Sequence, residues 1–264
     1  MYKGIPEKYE AIDAHNHVRG KNGKLDVADA EARLEAADKL GIKKLAVSVP
    51  LSTPCPSPEE CRKANDIVFE AMKLSKRFIG FCFVNPGYAK ETLDELKRCI
   101  TDGGMAGVKL YHQYTICDPA QTPLLEKAAE LKCPVLMHAG KVMDKATSSR
   151  QPNLSSAEHF MKAAERFPET IFIQGHIGGG GDWEWNLRKL EESPKNIFID
   201  ISGSVIDMDI VKKTISVMGN DRVLFATDGI FEEGVGKTLD ASLSDEQMKK
   251  LFHDNFANIL KMGA

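Results

Sequence analysis

Ala11-Ile12-Asp13-Ala14-His15-Asn16-His17 is an apolar run that closes on two imidazoles one residue apart. In a strand, alternate side chains share a face, so His15 and His17 point into one space with Asp13 below them, while Ile12 and Ala14 face the other way. Two neutral imidazoles converging on a point suit a divalent transition metal. A structural histidine pair is the plain alternative, and the rest of the chain decides between them.

Seven more β-rich runs follow, at residues 44–49, 78–85, 107–112, 135–139, 171–176, 197–202 and 223–228, each succeeded by a longer amphipathic stretch. The helical stretches carry their own start signals: Ser57-Pro58-Glu59-Glu60, Ser155 with Glu158, and Ser244 with Gln247. Gly41 and Gly219 stand where helices stop. Eight strand and helix pairs in strict order, within roughly 250 residues, predict a single (β/α)8 TIM barrel of the α/β class rather than an open doubly wound sheet. No linker or composition shift divides the chain, so residues 1–264 read as one domain.

Composition narrows the chemistry. The 264 residues are 42% hydrophobic and 28% charged, which is ordinary for a globular domain with a sizeable core. A net charge of −3 gives no basic footprint for nucleic acid or an acidic membrane surface. The six cysteines, at 55, 61, 82, 99, 117 and 133, form no CxxC pair and read as reduced thiols. With a charged first ten residues and no long apolar run, the expectation is a cytoplasmic protein acting on a small molecule.

In such a barrel the active site lies at the carboxyl ends of the strands, so chemistry should show as polar residues closing apolar runs. His15 and His17 close the first run, Lys109 sits late in the fourth, and His138, His176 and Asp228 close the fifth, sixth and eighth. Strict alternation turns each of them inward. It places His176 on one side with Gln174 and Phe172, leaving Ile173 toward the helices, and Asp228 on one side with Ala226 and Leu224.

With these residues in place, the sequence resembles the amidohydrolase superfamily, and its amidohydrolase-related branch of small metal-dependent barrels most of all. The resemblance rests on residues 13–17, Gly107-Val108-Lys109-Leu110-Tyr111, Met137-His138-Ala139-Gly140, Gly175-His176-Ile177-Gly178-Gly179, Ala226-Thr227-Asp228-Gly229 and a closing Asp254-Asn255-Phe256-Ala257-Asn258-Ile259-Leu260. The nuclease branch usually has a glutamate at strand four, where this chain has Lys109.

The resemblance implies a divalent ion held by His15, His17, His138 and Asp228, most simply one Zn2+, with Mn2+ or Fe2+ fitting similar donors. It gives Asp228 and His176 catalytic parts, the first handling a proton and the second polarising substrate or completing a second metal site. Lys109 decides the ion count: carboxylated, it would bridge two ions, whereas an unmodified ammonium would bind substrate or pair with an acidic group. One ion and an unmodified lysine is the reading adopted. The resemblance also implies pairing of chains as a homodimer.

Substrate contacts are expected from Tyr111, His112, Arg150 and Trp183, with Trp185 and Lys237 as further candidates and the long connections at 141–153, 178–185 and 229–243 as specificity loops. His159 and His253 read as solvated helix residues. Gly178-Gly179-Gly180-Gly181 lacks dinucleotide spacing, and Gly236-Lys237-Thr238 lacks the first glycine of a P-loop because Phe231 stands there. The expected activity is hydrolysis of an amide, ester or lactone by a metal-activated water. The alternative is non-hydrolytic decarboxylation of an unsaturated carboxylic acid, and a non-catalytic metal-binding barrel comes last.

Overall fold

The computed structural model describes residues 4–142, 144–177 and 182–262. Eight parallel strands run in sequence order around the sheet: β1 Ile12–His17, β2 Lys44–Ser48, β3 Phe78–Phe83, β4 Gly107–Leu110, β5 Val135–His138, β6 Phe172–Gly175, β7 Ile197–Asp200 and β8 Val223–Leu224. The ring shuts between its ends. Ala14 N donates to Phe225 O at 2.9 Å and Asp228 N to His15 O at 2.8 Å, so the chain beyond β8 pairs with β1. The result is a (β/α)8 barrel with helices between successive strands.

Two apolar layers hold it. Inside lie Ile12, Ala14, Ala46, Phe81, Leu136, Ile173, Leu224 and Ala226, joined by Phe256 and Ile259 of the helix Asn255–Met262. That helix plugs one end of the barrel, with the Phe81 and Phe256 rings stacked at 6.2 Å. Outside, Leu45, Val47, Cys82, Val108, Val135, Phe172 and Ile199 face the helices. All six cysteines are free. Among the described residues no helix is long and apolar enough to cross a membrane.

The two layers correct the alternation expected on two strands. On β1, Ile12 and Ala14 face the barrel interior, and the pairing with β2 slips between Asp13 and Asn16. This bulge lets His15 and His17 also face inward, and it turns Asp13 away from them. The Asp13 carboxylate instead accepts from Thr227 Oγ1 (2.6 Å), Thr227 N (3.0 Å), Asn16 Nδ2 (2.8 Å) and His15 N (3.1 Å), clasping β1 to the end of β8. On β6, Ile173 lies inside and Phe172 outside, where its ring meets Phe160 edge-on at 6.5 Å. His176 reaches the mouth because its φ of +64° breaks the alternation just past β6.

Helix boundaries agree with the sequence signals in most places. Ser57 with Glu60 and Ser244 with Gln247 form capping boxes, and Gly41 (φ +78°) and Gly219 (φ +81°) end their helices. The expected start at Ser155 moves by one residue: Ser156 is the cap, and His159 Nδ1 accepts from its backbone N–H at 3.0 Å. His159 is therefore a half-buried capping group rather than a solvated one. The 229–243 connection is mostly the helix Phe231–Asp240, which absorbs Gly236-Lys237-Thr238. The four glycines at 178–181 lie outside the described residues.

The plug residue gives a direct test of the inner layer. Phe256→Ala should lower unfolding free energy by about 3–5 kcal/mol, read from urea denaturation midpoints, because the emptied space lies among residues with little room to relax.

Candidate metal centre

His15 and His17 reach the barrel mouth from the bulged end of β1, and Asp228 reaches it from a backbone held at φ +52° by its own N–H bond to His15 O. His17 Nε2 lies 2.9 Å from Asp228 Oδ1, and His15 Nε2 lies 3.6 Å from the same oxygen. The three donor atoms fall within 4.8 Å of one another.

Each ring has its other nitrogen engaged. His15 Nδ1 bonds Asp200 Oδ2 at 2.8 Å, and His17 Nδ1 faces Ser48 O at 3.3 Å and Ser48 Oγ at 3.1 Å. On His15 the bond to Asp200 holds the proton on Nδ1 and leaves an Nε2 lone pair, the arrangement a metal-ligating imidazole needs. His17 Nε2 donates to Asp228 Oδ1 and gives up that proton when a cation takes its place. Burial, and for His15 also the Lys109 charge, pushes both rings below their usual range, so they stay neutral.

His138 and His176 stand at the neighbouring ends of β5 and β6. His138 Nδ1 is 2.9 Å from His176 Nε2, and His138 Nε2 faces the Gln151 amide at 3.1 Å. His138 is thus bonded to its neighbour instead of converging with the other three donors. Burial lowers His176 to about 4 and His138 well below the ordinary value, His176 adding to the effect on His138. His15, His176 and Asp200 form a second group of close donor atoms, already engaged with one another.

Lys109 is fully buried beneath this layer, with Nζ 2.6 Å from His15 Nε2. Burial lowers its ammonium to about 8, and the Asp228 and Asp200 charges resist that fall. Burial would raise both carboxyls, but histidine rings overcome it and hold each well below the carboxylate range. Among the groups packed around these donors, with the histidines neutral, two carboxylates and one ammonium leave one negative charge uncompensated in a largely buried setting. An unbalanced buried charge is costly, and a cation removes the imbalance. Donor spacing, the His15 tautomer and charge all fit a divalent ion at His15, His17 and Asp228.

The mouth opens into two lobes that share Asp228. One, of about 540 Å³, is lined by His17, Arg19, Arg33, Pro50 and Ile230 among others; the other, of about 200 Å³, by His138, Thr147, Gln151, Leu154, His176 and Ser204. Tyr111 packs its ring 4.4 Å from that of His138, and His112, buried behind it, stacks on Tyr111 at 4.5 Å.

The remaining candidates fall elsewhere. Arg150 is exposed, its Nη2 donating to Thr147 Oγ1 at 3.5 Å, while its neighbour Gln151 enters the lobe. Trp183 is buried with Nε1 donating to Asp207 Oδ2 at 2.6 Å, so it ties a helix start to the loop after β7. Trp185 is flanked by Lys141 and Lys189. Lys237 donates to Gly203 O at 2.8 Å instead of facing the lobe. His253 bonds Glu10 O at 3.0 Å, far from the mouth.

Sequence reasoning passed over Asp200, Ser202, Ser48 and Gln151. Asp200 carried the signal that found the others, since it ends the apolar run Ile197-Phe198-Ile199. Gln151 carried none.

Comparison with known proteins places the chain in a family. The amidohydrolase family model matches residues 12–261, and the chain belongs to that family of enzymes. Gamma-resorcylate decarboxylase of Rhodococcus jostii strain RHA1 is 23% identical over 292 aligned residues, spanning 90% of this chain and 88% of that protein. Among solved structures, dihydroxybenzoic acid decarboxylase from Polaromonas sp. JS666, with bound manganese and the inhibitor 2-nitroresorcinol, superposes with a TM-score of 0.75. It is 17% identical, over 96% of this chain and 97% of that one. A 4-oxalomesaconate hydratase from Rhodopseudomonas palustris gives a TM-score of 0.68 at 18% identity, over 96% of each chain. At these identities the solved structures establish the shared fold.

Close packing around His15 can be tested through Gly175. A methyl there would sit 2.9 Å from Met137 O and 3.3 Å from His15 Cε1. Gly175→Ala should cost about 1–3 kcal/mol in urea denaturation through this crowding.

Proposed function

We propose that the protein is a metal-dependent decarboxylase of a small unsaturated or hydroxylated aromatic carboxylic acid. The observation that carries this reading is charge. A divalent ion would turn the mouth from one excess negative charge to one excess positive charge, which an anionic carboxylate neutralises and a neutral amide or lactone does not. The decarboxylases among the relatives support the same choice, and the hydrolytic expectation from sequence finds no such support.

In this proposal His15, His17 and Asp228 hold the ion, and His138 joins them by turning its Nε2 from Gln151. Manganese in the Polaromonas relative makes Mn2+ a candidate beside Zn2+. When bound, the ion supplies positive charge that anchors the substrate's carboxylate and adjacent hydroxyl oxygen and makes that hydroxyl more acidic. Asp228, held ionised by its histidine neighbours, takes the hydroxyl proton. Once protonated, a carboxyl in that setting is a strong acid, so it passes the proton to the ring carbon that bears the carboxylate. The carbon–carbon bond then breaks, its electron pair returns to the ring, and CO2 leaves. No water is consumed and nothing is oxidised or reduced. His176, from behind His138, keeps that ring oriented, and Tyr111 packs beside it as a wall for substrate.

Two outcomes follow. Supplied with Mn2+ or Zn2+, the chain should release CO2 from members of a panel of hydroxybenzoic and unsaturated carboxylic acids. Asp228→Asn should cut that release by about 10²–10⁴-fold. Cleavage of lactones or amides with no CO2 from any acid would replace decarboxylation by hydrolysis. The second outcome concerns pH. Lys109 carries its charge below about 8 and loses it above, so the mouth becomes less positive as pH rises through that value. A bound cation repels that ammonium and moves the step lower still, so KM for the acid should increase as pH rises toward about 8 in the native chain, and Lys109→Met should show the higher KM at every pH with no such step.

A further inference from the structure

Asp200 touches more of the mouth than any group the proposed reaction uses directly. Its Oδ2 accepts from His15 Nδ1 at 2.8 Å. Its Oδ1 takes Ser202 Oγ at 2.6 Å, Ser202 N at 3.0 Å and His176 N at 2.8 Å. Ser202 Oγ also lies 2.8 Å from His176 Nδ1. A hydroxyl has a single hydrogen, and the short contact with an ionised carboxylate oxygen requires it. Toward His176 the hydroxyl can therefore only accept, so His176 carries its proton on Nδ1. The Nε2 of that neutral ring is then a lone pair, and the His138 nitrogen 2.9 Å away must donate to it. His138 is left with an unprotonated Nε2; Gln151 Oε1 stands 3.1 Å from it, and the relay requires that amide to turn over and meet the lone pair with its NH2.

We propose that Asp200 is a positioning residue that sets the tautomers of three histidines at once, His15 directly and His176 and His138 through Ser202. All three are held as the Nδ1–H form with Nε2 unprotonated, which is the form that can ligate a metal ion. The carboxylate is fully buried, so no solvent competes for its oxygens. The backbone is shaped to keep the relay in place. Gly203, next to Ser202, adopts φ +94°, and a Cβ there would lie 3.2 Å from His176 Cβ. The buried Lys237 ammonium holds Gly203 O at 2.8 Å. The inference requires only donors and acceptors of the chain itself, and it stands whichever reaction the mouth performs.

The relay makes an asymmetric prediction, because Ser202 Oγ lies 2.8 Å from His176 Nδ1 but 3.4 Å from His15 Nδ1, whose nearer partner is Asp200 Oδ2 at 2.8 Å. In the full-length chain treated with chelator, at pH 8, long-range proton–nitrogen NMR spectra, assigned by replacing each histidine in turn, should show His15, His138 and His176 as Nδ1–H forms. Ser202→Ala should move His176 and His138 toward the Nε2–H form and leave His15 unchanged, and Ser202→Thr should restore the native pattern. Titration with Zn2+ alone should give about tenfold weaker binding for Ser202→Ala, with Ser202→Thr close to native. Unchanged His176 and His138 tautomers in Ser202→Ala would overturn the relay. So would a failure of threonine to restore them in a variant with native folding by circular dichroism.

Discussion

The hydrogen bond from Asp228 N to His15 O closes the barrel and assembles the candidate metal centre in one step. These residues come from opposite ends of the chain, and nothing local draws them together. Closure does so because Ala14 N finds Phe225 O on the same seam and the Asp13 carboxylate takes two donors from Thr227 across it and two more from β1. The apolar interior and the Phe256 plug pull the strands into a ring, and the seam fixes its register. Asp228 then has no choice but to face His17.

Charge ties this geometry to chemistry. Lys109 alone cannot balance Asp200 and Asp228 once burial has kept the histidines neutral. The mouth is built to take a cation, and with one it is built to take an anion. That sequence of preferences agrees with a carboxylated substrate better than with a neutral one. It also explains why so many buried polar groups are tolerated at one end of an otherwise apolar barrel: they bond one another, and the few free lone pairs converge.

Much of this was legible in the chain. Alternating apolar runs and capped helices announce the barrel, and residues such as His138 and Asp228 stand out because they end runs that are otherwise apolar. What stayed hidden was backbone detail. A bulge in β1 reverses Asp13, and a left-handed His176 reverses the side expected for Phe172 and Ile173; period-2 reasoning assumes neither. Asp200 ends the apolar run Ile197-Phe198-Ile199 and was legible by the same rule, but taking the strand on to Ser202 drew attention past it. Gln151 enters through the loop after β5, where no periodicity applies, and Arg150 beside it points outward.

The central claim is that His15, His17 and Asp228 form the core of a divalent-ion site completed by His138. Anomalous diffraction from crystals of the chain loaded with Mn2+ tests it most directly. The account predicts one strong anomalous peak at the barrel mouth, within coordination distance of His15 Nε2, His17 Nε2, His138 Nε2 and an Asp228 oxygen. A peak only elsewhere on the surface, or none at saturating Mn2+, would contradict it.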